Sequence, residues 1–180
     1  WNWISLNVEG ESMELNEVLA SLSSTSGDFI KTPSGTAEYF DGFGWYGSLS
    51  EWDVRGMYML RSANADGLVF SGAPADPAST PIELGEGWNW IGYVPQYDGA
   101  IVDALASIVA TGGDFIKTPS GTAEYFDGFG WYGSLESMNP SQGYMLRVAE
   151  ASSLAYPNFG PDDYVSDGLA RKNIPLAISD

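Results

Sequence analysis

The chain has no cysteine and no histidine, and only 7 Lys and Arg stand against 24 Asp and Glu. Each shortage removes a class of chemistry. Without cysteine there is no disulfide framework, no Fe–S cluster and no thiolate zinc site. Without histidine the commonest general base and the commonest metal ligand are both missing. A formal net charge of −17 excludes nucleic acid as a partner, because a phosphate backbone must be met by clustered cations. It disfavours an anionic membrane surface for the same reason. No apolar run approaches the ~20 residues of a spanning helix. The first residue is Trp1 rather than Met, with no signal or transit pattern behind it, as in a processed or trimmed segment.

What is present is aromatic and repeated. Seven Trp and ten Tyr accompany an apolar content of 44%, the composition of a folded chain with a core. The segment GDFIKTPSGTAEYFDGFGWYGSL stands at Gly27–Leu49 and again, letter for letter, at Gly113–Leu135. WNWI at Trp1–Ile4 is answered at Trp88–Ile91, and YMLR at Tyr58–Arg61 at Tyr144–Arg147. The chain therefore divides into a first module at 1–72, a proline-bearing linker at 73–87, a second module at 88–157 and an extended C-terminal arm at 158–180. Solenoid repeats are shorter, so each copy is a small folded subdomain.

Within each copy the patterns predict local structure. WNWI alternates as a strand does. Leu15, Val18, Leu19 and Leu22, with Ile101, Ala104, Leu105 and Ile108 in the second copy, mark one face of an amphipathic helix capped by Ser12 or Asp98. FIK, TAEYF, WYG and YMLR read as further strands separated by PSG and DGFG turns. The expected class is α+β: two tandem modules, each a small antiparallel sheet with one amphipathic helix packed on it. In the arm, Ile174, Leu176 and Ile178 alternate as a strand with one apolar side. Such a strand either folds back on its own chain or adds to a neighbour's sheet edge.

Signals for catalysis and cofactors are weak. Glu38 with Asp41, and Glu124 with Asp127, are the nearest approach to an acid pair, but Asp-Gly is ordinary turn chemistry. Lys31 and Lys117 read as solvated cations facing an acidic surface. Calcium loops are only hinted at by Asn64–Gly67 and Pro161–Asp167, and GFGWYG lacks the Lys-Ser/Thr and helix of a phosphate loop. The expectation is no enzyme, no metal and no cofactor.

The aromatics point elsewhere. Trp45-Tyr46 and Trp131-Tyr132 are strand neighbours, so their rings point to opposite faces. An outward ring anchors a protein interface or stacks on a sugar. Tyr39, Trp45, Tyr46, Tyr125, Trp131 and Tyr132, with Ile174, Leu176 and Ile178, are the candidate assembly residues. The partner they suggest is another copy of the chain; the rival is a secreted adhesion or carbohydrate-binding module.

Taken together, W-N-W-I, the helix, F-I-K, A-E-Y-F-D-G-F-G-W-Y-G-S-L, G-Y-M-L and a closing Y-P resemble the pyrenoid-shell proteins of diatoms over Trp1–Pro157. The resemblance implies a structural protein without cofactor, self-assembling into sheets or tubes around the Rubisco matrix in the chloroplast. Similar modules occur in secreted bacterial repeat proteins, which leaves an extracellular site open.

Overall fold

The computed structural model describes residues 1–160 and 170–177; Ile178 and the weak calcium pattern at Pro161–Asp167 lie outside the described residues. Each module is built on a five-stranded antiparallel sheet. In the first the order is Asn2–Ile4, Tyr58–Arg61, Phe29–Lys31, Thr36–Phe40, Gly44–Gly47. In the second the same order is Gly87–Ile91, Tyr144–Val148, Phe115–Lys117, Thr122–Phe126, Gly130–Gly133. DGFG closes the last hairpin through glycines with φ of +79° and +92° at Gly42 and Gly44, a conformation that only glycine adopts without strain.

The α+β expectation is corrected: the fold is mostly β. The helices are single turns, Leu15–Val18 and Ile101–Ala104. Neither Ser12 nor Asp98 caps them; the N-cap positions are Glu14 and Ala100, with no side-chain bond. The periodic residues are still buried, Leu15, Val18 and Leu19 in one copy and Ile101, Ala104, Leu105 and Ile108 in the other. The turn that follows tightens instead of continuing as helix: Ala20 N and Leu22 N donate to Glu17 O and Leu19 O, and Ala106 N and Ile108 N to Asp103 O and Leu105 O, each three residues back. Ser21 Oγ accepts from Val69 N at 2.8 Å, and Ser107 Oγ from Ala155 N at 2.9 Å. These bonds tie each turn to the strand that covers it or to that strand's end.

Each sheet buries one face. Ile4, Ile30, Ala37, Trp45, Tyr58 and Leu60 pack on the helical turn and on Leu68, Ile174 and Leu176. The second core repeats this with Ile91, Ile116, Ala123, Tyr144 and Leu146 against Leu154, Ile82 and Leu84. The covering strands form smaller sheets: Asp66–Pro74 between Ala170–Leu176 and Val8–Glu9, and Ser152–Leu154 beside Ile82–Leu84. The stretch 73–87 thus holds a core strand as well as a connection, with Pro77 and Ile82 buried.

An approximate two-fold relates the modules, visible in the backbone bonds at their seam. Ser5 N donates to Ser141 O at 3.1 Å, and Gly92 N donates to Arg55 O at 2.8 Å. Gly143 N donates to Trp3 O at 3.2 Å, and Met57 N to Trp90 O at 3.4 Å. Each pair exchanges equivalent positions of the two copies. The symmetry is broken in detail, because Met57 fills space that Gly143 leaves: a Cβ at Gly143 would lie 2.2 Å from Met57 Cγ.

Candidate assembly interface

Register determines what the uncovered face of each sheet presents. Residues opposite one another across an antiparallel ladder share a face. In the second module Trp88, Arg147, Phe115, Glu124 and Tyr132 are successive partners, one from each strand. The first module carries the same row: Arg61, Phe29, Glu38 and Tyr46 are successive partners, and Trp1 closes it by its edge-on contact with Phe29. A second row holds Trp3, Met59 and Lys31 in one module and Trp90, Met145 and Lys117 in the other.

The two faces agree in geometry as well as in residue type. Lys31 Nζ lies 4.5 Å from the centroid of the Trp1 ring, and Lys117 Nζ 4.7 Å from that of Trp88. The guanidinium carbons of Arg61 and Arg147 lie 5.8 and 5.7 Å from the same rings. Trp1 meets Phe29, and Trp88 meets Phe115, edge-on at 6.2 Å. Four of the seven cations of this acidic chain therefore surround two half-exposed tryptophans. The lysines are not the freely solvated cations read from sequence; both are half-buried against an aromatic ring, an arrangement worth about 0.5–1 kcal/mol at exposed sites.

The candidate aromatics separate by face. Tyr46 and Tyr132 point outward, 61% and 58% exposed. Trp45 is buried and Trp131 is half-buried, each edge-on to its cross-strand neighbour, Tyr39 or Tyr125. These four rings belong to the inner layer. Ile174 and Leu176 are buried in the first module's own core, and the arm strand lies along Asp66–Pro74 of the same chain. Trp1, half-buried Phe29, Phe40 and Arg61, with Phe43 at 76% exposure in the DGFG turn, are outward residues that the sequence reading did not single out. The alternation in WNW, FIK and MLR was the signal available for the first two and for Arg61.

Of the acids suspected of chemistry, Asp41 and Asp127 have structural work. Asp41 Oδ1 accepts from Ser26 N at 3.1 Å, and Asp127 Oδ1 from Gly112 N at 2.8 Å. Buried Asp28 accepts from Thr25 N and Ala63 N, as Asp114 does from Thr111 N and Ala149 N. Among the described residues no three acids gather where a metal could be held. A cleft of about 490 Å³ between the first strand, the 139–142 turn and Ile174-Pro175 is lined by no ionisable side chain.

No family model, curated protein or solved structure matches this chain.

Proposed function

We propose that this protein is a structural building block that assembles with copies of itself into a sheet, tube or shell, through the outer faces of its two five-stranded sheets. The observation that carries this reading is the row Trp1–Arg61–Phe29–Glu38–Tyr46 and its duplicate. Read from either end it runs aromatic, charge, aromatic, charge, aromatic. A half-turn about Phe29 sets Arg61 against Glu38, Trp1 against Tyr46, and Phe29 against its own counterpart. Such a row is complementary to itself, which is what a two-fold contact between like surfaces requires. Internal packing does not need these outward residues to be the same in both modules, since volume and pattern alone satisfy a core. Two such faces on one chain allow contacts to propagate.

On the resemblance to pyrenoid-shell proteins, the lattice encloses the Rubisco matrix and the compartment is the chloroplast pyrenoid. The second reading is an adhesion or carbohydrate-binding module outside the cell. It draws on the half-exposed rings of Trp1 and Trp88, each flanked by cations.

Electron microscopy and sedimentation of the purified chain separate the two. Sheets, tubes or filaments support assembly. Discrete monomers that bind glycan support adhesion and overturn it. The contact itself is tested by charge reversal: R61E/R147E abolishes the lattice, and adding E38R/E124R to the same chain restores it. Failure of the combined variant to assemble, while still folded, removes this face from the contact.

A further inference from the structure

Each module ends in a strand that is completed by a segment of the form Ile-x-Leu followed by a small residue. In the second module Ile82 and Leu84 pair with Leu154 and Ser152, and both are buried. In the first, Ile174 and Leu176 pair with Leu68 and Asp66 in the same register and with the same burial. The middle residues, Glu83 and Pro175, are exposed. The following residue is clasped by an asparagine of the neighbouring WNWI strand. Gly85 exchanges two bonds with the Asn89 amide at 2.9 and 2.8 Å. Ala177 exchanges the same two with Asn2 at 2.8 and 3.0 Å.

Yet the two segments reach their places by different routes. Ile82–Leu84 lies directly before the WNWI strand of its own module. Ile174–Leu176 comes from the far end of the chain. A slot served from both directions reads the segment and not its attachment. We infer that the outer edge of Asp66–Leu68, and equally that of Ser152–Leu154, is a binding slot for an extended peptide of the form Ile-x-Leu-Gly/Ala. The two slots are interchangeable, so each accepts the other's strand.

Backbone pairing supplies affinity without regard to sequence, and pockets for alternate side chains supply selection. The Ile and Leu pockets are the selective part. The asparagine clasp sets the register by taking both polar groups of the residue that follows. Two features distinguish the C-terminal strand: it pairs over seven positions, where Ile82–Leu84 pairs over three, and Lys172 Nζ donates to Gln96 Oε1 at 2.8 Å, tying it to the second module. This inference stands whether or not the sheet faces meet a neighbour.

Labelled peptides corresponding to residues 170–177 and 79–85 are titrated into the full-length I174D/L176D chain, whose own strand cannot seat. Both bind saturably, and peptides with Asp in place of Ile and Leu bind at least about ten-fold more weakly. The unmodified chain binds both at least about ten-fold more weakly, because its tethered strand competes at high effective concentration. Binding by the 170–177 peptide alone, or binding indifferent to the Asp changes, overturns the inference. A second measurement keeps the native arm. The chain has no cysteine, so V69C is a unique thiol beside Asn173 in the register. Peptides carrying an activated cysteine at the position of Asn173 or of Pro81 are captured on it, and their Asp-substituted forms are not. No capture of the 79–85 peptide overturns the interchangeability of the slots.

Discussion

The side chain of Asn2 and the backbone of Ala177, 175 residues apart, exchange two hydrogen bonds, the amide donating at 3.0 Å and accepting at 2.8 Å. This clasp brings the beginning of the first sheet to the arm strand, and Asn89 with Gly85 repeats it in the second module. Replacing either asparagine by alanine removes both bonds and leaves the backbone groups to water.

The expected cost of Asn2→Ala or Asn89→Ala is about 1–2 kcal/mol each, read from urea unfolding. Amide exchange locates the effect. Asn2→Ala lowers protection at 170–177 and leaves Ile82–Leu84 unchanged; Asn89→Ala does the reverse. Equal loss in both places would mean that the clasps act through the global equilibrium and not on their own strands.

The seam between the modules makes a separate prediction. A Cβ at Gly92 would lie 2.5 Å from Val54 O and 2.9 Å from Gly56 O, closer than unstrained contacts allow. Ser5, at the equivalent place, carries a side chain there and donates its hydroxyl to Gln142 O at 2.8 Å. Gly92→Ala is therefore expected to destabilise the chain by about 1–3 kcal/mol, the usual range for overpacking, and Ser5→Ala by about 1–3 kcal/mol, because it removes that bond and also the one the hydroxyl accepts from buried Tyr93 N at 3.3 Å. Calorimetry of the two variants checks both losses.

Much of the architecture was legible in these residues, and the failures have physical causes. The doubled strands could be read because alternation in WNWI, TAEYF and YMLR reports a half-buried sheet directly. The helix was overestimated because four apolar residues at helical spacing also suit one turn followed by a tighter one; there the backbone bonds reach only three residues back, and a distant strand pins the segment at Ser21 or Ser107. The arm was legible as a strand from Ile174 and Leu176, but its partner was not. The equivalent strand, Ile82–Leu84, sits in a stretch whose prolines read as a connector. The outer row needed the register of all five strands before its charges fell into line, and register is set by pairing across long separations.

Tyrosine burial sets a limit at high pH. Burial pushes the Tyr58 hydroxyl up to about 12, opposed by the bond it accepts from Asp53 N at 2.7 Å. Burial likewise pushes Tyr144 up to about 12, opposed by the bond from Asn139 N. Tyr93 and Tyr156 are raised by burial too. A raised folded value means that the native state holds its proton after the unfolded chain has lost it. This stabilisation is complete below pH 10 and is lost between about pH 10 and 12, at up to roughly 1.4 kcal/mol per unit for each group. Base unfolding is thus expected in that window, followed by tyrosinate absorbance. Tyr58→Phe moves the transition to higher pH even as it lowers stability at pH 7, because Asp53 N–H loses its acceptor. An unmoved alkaline transition would show that Tyr58 does not contribute to it.

Assembly must contend with a charge of −17 on every copy. Two effects oppose each other as salt rises. The repulsion of whole molecules acts over distances beyond the Debye length, about 8 Å at physiological ionic strength, and is therefore screened strongly. The attraction of Arg61 for a neighbour's Glu38 acts at contact, between rings that exclude water, and is screened less. Because that attraction is screened little, what it loses to salt is small beside the relief of summed repulsion. Raising sodium chloride from low to moderate concentration should therefore lower the critical concentration for assembly, as read by light scattering. In R61E/R147E/E38R/E124R the same salt dependence should persist, because the exchange leaves net charge unchanged. A lattice that dissolves as salt is added would reverse this weighting and make the ion pairs the dominant cement.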